Sequence, residues 1–154
     1  MRIRKIIYSS LMIALIVVAQ QIKITYVTGI LVNAILFCSV YFIGIKYGVI
    51  VAIASPFLAH LFGIMPLFIV IPFIAAANTI YCILLTVLKK INIYLSVVVA
   101  SISKFLFLYV IVNYIITIPA IARAALSLPQ LFTALGGGAI GIILYSRLKD
   151  TIRL

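Results

Sequence analysis

One lysine, Lys104, lies in the middle of a long apolar stretch, where a charged group must be neutralised or must bind a partner. It is about 12 residues from either end of that stretch, or about 18 Å from each interface of a bilayer at 1.5 Å per helical residue. An ammonium group at this depth costs about 2.5–3.5 kcal/mol. The chain has a single carboxylate side chain, that of Asp150, which is out of reach. Three options remain: an uncharged lysine, a carboxylate of another subunit, or an anionic group of a ligand.

Other polar side chains within apolar stretches concentrate at a similar depth. Because a polar group that faces hydrocarbon is costly, such residues normally point into a helix bundle. Most of them lie in the outer half of their stretch, so the sequence predicts a cavity of half the membrane depth that opens outward. The simpler alternative is that each amide only bonds a neighbouring helix, which is worth about 0.6 kcal/mol. The candidate substrate-binding residues are Asn33, His60, Asn78, Lys104, Asn113, Gln130 and Thr133.

The chain lacks the residue sets that most enzymes need. One histidine and one acidic residue cannot form a catalytic triad or a hydrolytic metal site. The sequence has no GxxxxGKS phosphate loop, no HExxH and no CxxC. Its two cysteines, Cys38 and Cys82, lack metal-ligand spacing and are expected to be buried free thiols. We therefore expect a binding protein with no catalytic residues, no metal and no cofactor, whose energy comes from other subunits.

Composition indicates that these residues belong to a membrane protein. The chain has 154 residues, of which 68% are apolar and 8% charged, more apolar surface than a soluble domain of this length can bury. A membrane-spanning helix needs about 20 residues. We predict an all-α integral membrane protein in which six transmembrane helices form one compact bundle over residues 1–154. The predicted spans are 6–21, 28–45, 48–65, 67–88, 93–118 and 128–148.

The basic residues predict the orientation of this bundle. Lysines and arginines outnumber acidic residues by 12 to 1, and they concentrate in alternate connections, as expected for cytoplasmic segments. Only Lys23 and Arg123 fall on the predicted outer side. We therefore expect both termini to be cytoplasmic, in a multi-pass protein of the cell membrane, most simply a prokaryotic plasma membrane. The basic residues of the predicted inner side are Arg2, Arg4, Lys5, Lys46, Lys89, Lys90, Arg147, Lys149 and Arg153.

Stripes of small residues mark faces suited to close helix contact. In the third span Pro56 is expected to bend the helix and to turn His60 inward; because this span is short, a re-entrant hairpin is the alternative. The first span carries Ser10 and Ala14, a pair that suits docking to another membrane protein or internal packing. The connection 118–128 is expected to form a lid or a short interfacial helix. The stripes are Ala52, Ser55, Ala59 and Gly63 in the third span and Gln130, Thr133, Gly137 and Gly141 in the sixth.

The chain as a whole resembles the substrate-specificity subunit, or S component, of energy-coupling factor (ECF) transporters. The six-helix plan with cytoplasmic ends carries the likeness, together with two stretches: TGILVNAILFCSVYFIGIKYGVIVAIASPFLAHLFGIMPLFIVIPFIAAAN (28–78) and LPQLFTALGGGAIGIILYSRLKD (128–150). Proteins of this family bind a vitamin or other micronutrient from outside. Their pocket is formed by the outer halves of the later helices and closed by outer loops. They lack an energy source and associate with a transmembrane coupling subunit and two cytoplasmic ATPases.

The resemblance has implications for particular residues. It makes Asn78 and the polar groups of the fifth and sixth spans pocket members, and it makes Lys104 a counter-ion for a carboxylated or otherwise anionic substrate. Many members dock their coupling subunit through an AxxxA pair on the first helix, where this chain has Ser10 and Ala14. The expected function is therefore substrate binding in ECF-type vitamin uptake. Two alternatives stay open: a structural or assembly subunit of another membrane complex, with Lys104 paired to a partner carboxylate, and a self-contained facilitator of small-solute flux.

Overall fold

Seven α-helices account for most of the chain. The structure, a computed structural model, describes residues 2–65 and 67–151; Arg153, one of the predicted inner-side cations, lies outside the described residues, as does the side chain of Arg2. Short π-helices extend α2 and α5, and a 3-10 turn precedes α4. The α-helices are α1 (Arg2–Gln20), α2 (Thr25–Cys38), α3 (Ile45–Leu61), α4 (Ile71–Leu88), α5 (Ile93–Val110), α6 (Ala120–Ala125) and α7 (Leu128–Leu148).

The long helices have the length and surface of membrane spans. Five helical stretches are long and apolar enough to cross a bilayer: Ile3–Gln20, Thr25–Ile43, Phe68–Leu88, Ile93–Ile115 and Ala120–Leu148. With 17 residues, α3 is shorter; at 1.5 Å per residue it measures about 26 Å, close to the roughly 30 Å of a hydrocarbon core. Large aliphatic side chains cover the outside of the bundle. The chain is therefore an all-α membrane protein, as predicted.

The third helix runs through the bundle and does not turn back as a re-entrant hairpin would. Near its start, the Gly48 carbonyl faces the Cys82 thiol of α4 at 3.9 Å. In its second half, the Ser55 hydroxyl accepts a hydrogen bond from the Asn78 amide of α4 at 3.3 Å. Successive contacts along α3 therefore meet α4 in reverse order, which is the arrangement of two antiparallel helices.

The third helix ends at Leu61, earlier than the predicted span, because of a glycine. Gly63 has φ of 68°, a left-handed conformation that often ends a helix. Its N–H donates to the carbonyl of His60, and the N–H of Ile64 donates to the carbonyl of Ala59. Gly63 therefore ends α3 and does not extend the small-residue stripe, whereas the other three members of that stripe are buried in the bundle.

The sixth predicted span, α7, packs closely against α2 through its small residues. A Cβ atom at Gly137 would lie 2.5 Å from the Cβ of Asn33 and 2.6 Å from the carbonyl oxygen of Ile30. Gly141 faces the ring of Phe37 in the same way. The stripe predicted from the sequence is therefore used within the chain, and it brings the backbone of α7 against α2.

Two apolar clusters fill the interior. The larger one joins α2, α3, α4 and α5 in the half of the bundle where the Lys89 end of α4 lies, and it includes Cys38 and Cys82, which are buried free thiols as predicted. The smaller cluster packs Ile118 and Leu126 against α4 and α5. It holds the connection between α5 and α7, including the six-residue helix α6, against the opposite end of the bundle.

Candidate binding cavity

An internal cavity of about 440 Å³ opens at the end of the bundle where α1 and α3 end and α2 and α7 begin. Its volume lies within the roughly 300–1,000 Å³ that pockets for small organic ligands occupy. Polar groups from five helices and apolar groups from the connecting segments share the wall. The apolar side chains of the wall are Val32, Ile64, Met65, Ile74, Ala125 and Leu126.

Lys104 is the buried basic side chain of this cavity. It projects from the middle of α5 and is only 2% exposed, yet it is one of the lining residues. Its ammonium donates a hydrogen bond to Asn33 Oδ1 at 2.6 Å and lies 5.5 Å from the centroid of the Tyr81 ring. Neither partner carries a formal charge, so among the described residues no anionic side chain contacts this amine.

The partner amide, Asn33, is fixed in orientation by its own helix. Its Nδ2 donates to the Gly29 carbonyl at 2.8 Å, which leaves Oδ1 as the acceptor for Lys104. Tyr81 is fully buried, and its hydroxyl donates to the Ala134 carbonyl at 3.2 Å. Lys104 thus contacts two side chains, Asn33 and Tyr81, whose positions are fixed by hydrogen bonds of their own. An amide as its partner was not among the three options that the sequence left open.

The side-chain amides of Asn78 and Gln20 also line the cavity, and both contact Ser55 of α3. The Asn78 Nδ2 donates to Ser55 Oγ at 3.3 Å and lies 3.5 Å from the Ala52 carbonyl, while the Gln20 Nε2 lies 3.5 Å from the Ser55 carbonyl. Both amides are more than nine-tenths buried and line the cavity. Their carbonyl oxygens, Asn78 Oδ1 and Gln20 Oε1, have no hydrogen-bond partner among the described residues.

His60 is placed beside the cavity and not among its lining residues. Its Nδ1 lies 2.7 Å from the Met65 carbonyl, and since a carbonyl can only accept, the ring nitrogen is the donor. The ring also contacts Phe68 edge-on, with 5.4 Å between centroids. His60 therefore ties the α3–α4 connection to α3, and Ile64 and Met65 of that connection line the cavity. In this arrangement the imidazole stabilises a segment of the cavity wall and does not contact a ligand in the cavity.

The remaining candidate residues are divided by the structure. Gln130, at the start of α7, lines the cavity. Thr133 is buried against Gly29 in the α2–α7 contact, and its hydroxyl bonds the Gln130 carbonyl at 3.2 Å. Asn113 lies in the π-helix Ile111–Ile115, where its amide bonds the Tyr109 carbonyl of its own helix at 2.9 Å. Asn33, Asn78, Lys104 and Gln130 therefore line one cavity, whereas Thr133 and Asn113 do not line it.

Two features of the site were not nominated from the sequence. Gln20 falls at the boundary of the first span, where an amide can be hydrated and needs no partner in the protein. Its contact with Ser55 joins residues 35 positions apart in the chain. Lys23, directly after the two-residue turn that ends α1, also lines the cavity and has a left-handed backbone with φ of 58°. No sequence signal distinguishes Gln20 from an ordinary amide at the end of a span, so its contact with Ser55 is visible only in the structure.

Ser10 and Ala14 lie on the outward face of α1. Both are exposed, together with Ile7, Leu11 and Val18 on the same side of the helix, while Ile16 faces the bundle. Among the described residues, no helix of this chain covers that pair. The pair is thus available to lipid or to another protein.

Comparisons with protein-family models, with curated proteins and with solved structures gave no match for this chain. The chemistry of the site is therefore inferred from the residues that line it. They form a cavity with an apolar wall, one buried ammonium group and two amide oxygens without partners, at one end of an all-α membrane bundle.

Proposed function

We propose that the chain is the substrate-binding membrane subunit of an ECF-type uptake transporter. In this role it captures a small vitamin or micronutrient from outside the cell and delivers it with energy from partner ATPases. The observation that carries the proposal is the cavity of about 440 Å³ with Lys104 in its wall. A buried basic group in the membrane is costly, and packing between helices alone would not compensate for that cost; a ligand in the adjoining cavity would.

The distribution of charge supports an outward-facing cavity. The cavity lies at the end of the bundle that carries Lys23, whereas Lys46, Lys89 and Arg147 lie at the other ends of the same helices. Under the positive-inside rule the second group belongs in the cytoplasm. The cavity then faces the outside, as capture of an external solute requires. The short helix α6 and Leu126 close part of the cavity at that end and are suited to act as its cover.

The proposed transporter requires partner subunits because this sequence lacks a motif for ATP hydrolysis. The sequence has no phosphate loop and therefore no means of hydrolysing ATP. In the proposed transporter two cytoplasmic ATPases and a transmembrane coupling subunit supply the energy. The exposed small pair of α1, Ser10 and Ala14, offers a face on which a partner helix can approach closely.

The two alternative functions have less support from the same observations. The hypothesis of a structural subunit assumed that Lys104 pairs with a carboxylate of another protein. Lys104 is instead 2% exposed and bonds Asn33 within the chain. A facilitator needs a polar path to the second membrane face. Instead, the fully buried Phe37, Tyr81 and Leu85 belong to an apolar cluster on the far side of the cavity.

The docking part of the proposal is tested by blocking the α1 face. The protein is expressed with an affinity tag in its native membrane as wild type, as Ala14→Trp and as Ala139→Trp, the last a matched control at an exposed alanine of α7. We expect Ala14→Trp to lose the co-purifying ATPases while the wild type and Ala139→Trp retain them. Retention of the ATPases by Ala14→Trp would contradict the docking role, and their absence from the wild type would contradict the ECF assignment.

A further inference from the structure

We infer that the ligand of the cavity is a compact carboxylate that also carries an N–H or O–H donor. This inference rests on the proposed function, since it names the chemical class of the solute that the subunit captures. It is based on two polar groups of opposite hydrogen-bonding character that the structure places in one cavity wall. They are the ammonium group of Lys104 and the paired amide oxygens of Asn78 and Gln20.

The amide oxygens require a donor. Asn78 Oδ1 and Gln20 Oε1 are both buried without a partner in residues 2–65 and 67–151, and each such oxygen costs about 1–3 kcal/mol if it stays unsatisfied. The amide nitrogens of both side chains are turned to the same residue, Ser55, through its hydroxyl and its carbonyl. The shared serine keeps the two amides close together. A ligand N–H or O–H group is the natural complement to this pair, because a carboxylate there would face two carbonyl dipoles of the same sign.

Lys104 requires an acceptor, and a negative one. An ammonium group has three N–H donors, of which Asn33 Oδ1 takes one; the Tyr81 ring interacts with the charge without accepting a directional bond. The sole acidic side chain of the sequence, Asp150, follows α7, whereas the cavity lies at the Gln130 end of that helix, about 30 Å away at 1.5 Å per residue. A ligand carboxylate would therefore provide the charge and the acceptors that the chain itself does not.

The two polar groups are held on different helices that meet at one cavity, so one ligand can contact both. Lys104 and its partner Asn33 belong to α5 and α2, whereas Gln20, Ser55 and Asn78 belong to α1, α3 and α4. Val32, Ile74 and Met65 contribute apolar surface to the same cavity. This arrangement favours an apolar ring or short chain that carries both a carboxylate and a donor.

The test uses two matched sets of probe molecules with the purified full-length protein in detergent. The smaller set is 4-aminobenzoate, 4-methylbenzoate and 4-aminobenzamide; the larger is 6-amino-2-naphthoate, 6-methyl-2-naphthoate and 6-amino-2-naphthamide. In each set the second probe lacks the donor and the third lacks the negative charge. By isothermal titration calorimetry we expect the amino-carboxylate of at least one set to bind about 10- to 100-fold more tightly than both of its analogues. This is the range expected when the carboxamide loses a charge-assisted hydrogen bond and when the methyl analogue leaves a buried amide oxygen unsatisfied.

Variants assign each preference to its group. Lys104→Gln should remove the preference for carboxylate over carboxamide, whereas Lys46→Gln, which changes an exposed cation at the end of α3 away from the cavity, should retain it within about threefold. Gln20→Leu and Asn78→Leu should each reduce the preference for amino over methyl. A variant that does not fold is recognised by its melting temperature and its elution volume, and the second amide variant and the wild-type comparison then still test the inference.

The outcomes separate this inference from the proposed function. If the protein retains a small molecule from its native membrane but both amino-carboxylates bind no better than their analogues, or not at all, the ligand class is wrong and the binding function stands. If Lys23→Gln, which changes the other cation of the cavity wall, and not Lys104→Gln abolishes the carboxylate preference, the assignment of the cation is wrong. If the protein retains no small molecule and binds no probe, the binding function fails together with the inference.

Discussion

Replacing Asn33 by leucine should show how strongly the amide stabilises the buried ammonium group. Leucine has a branched shape similar to that of asparagine but cannot accept a hydrogen bond. Lys104 is 2% exposed and bonds Asn33 at 2.6 Å, so water in the adjoining cavity replaces the lost acceptor only in part. A hydrogen bond to a charged group contributes about 1.5–3 kcal/mol, and the nearby Tyr81 ring retains part of the stabilisation. We expect Asn33→Leu to lower the free energy of unfolding by about 1.5–3 kcal/mol.

A double-mutant cycle isolates the interaction itself. The variants are Asn33→Leu, Lys104→Met and the pair together, with unfolding in mixed micelles followed by circular dichroism during titration with sodium dodecyl sulfate. We expect a coupling free energy of about 1.5–3 kcal/mol, so that the double variant is more stable than the two single losses predict. Asn113→Leu is the matched control, since that amide bonds only its own helix, and it should cost less than about 0.5 kcal/mol. Additivity of the two single variants within about 0.5 kcal/mol would refute the interaction.

Two further predictions concern the elements that shape the cavity. Gly137→Ala should destabilise the protein by about 1–3 kcal/mol, because the new Cβ would lie 2.6 Å from the Ile30 carbonyl oxygen; Gly136→Ala, where the nearest atom is 3.2 Å away on a flexible side chain, should cost clearly less. Equal losses of thermal stability in the two variants would contradict the packing of α7 on α2. His60→Leu should free the α3–α4 connection and raise amide hydrogen exchange of residues 62–65 about fivefold, as expected for a lost hydrogen bond of about 1 kcal/mol. Unchanged exchange there would show that the bond to Met65 does not hold the connection.

The fold was largely predictable because the bilayer imposes a simple length rule. Apolar runs interrupted by Gly, Pro and polar residues gave six spans close to the observed helices. The differences arise at helix ends, where local backbone chemistry decides. The third span stops at Leu61 because Gly63 adopts a left-handed conformation, and the fifth ends in the π-helix Ile111–Ile115. Mean hydropathy contains neither kind of information.

The site was predictable in its residue types but not in its pairings. An intramembrane lysine and amides at one depth are unusual enough to be recognised in the sequence, and Lys104, Asn33 and Asn78 do line one cavity. The bond from Lys104 to Asn33 joins residues 71 positions apart, and it exists only because the helices bring them together. The same limit explains His60: its type suggested a ligand contact, while its partner, the Met65 carbonyl, is set by the path of a loop.

The central claim is that the cavity holds a small molecule, and the most direct test is to look for that molecule. The tagged protein is purified gently from its native membrane, and everything that accompanies it is identified by mass spectrometry, both proteins and compounds of low molecular mass. We expect about one small organic molecule per chain, which Lys104→Gln loses, together with two ATPases and a membrane coupling protein. A preparation that contains an unrelated membrane partner and no small molecule would contradict the account.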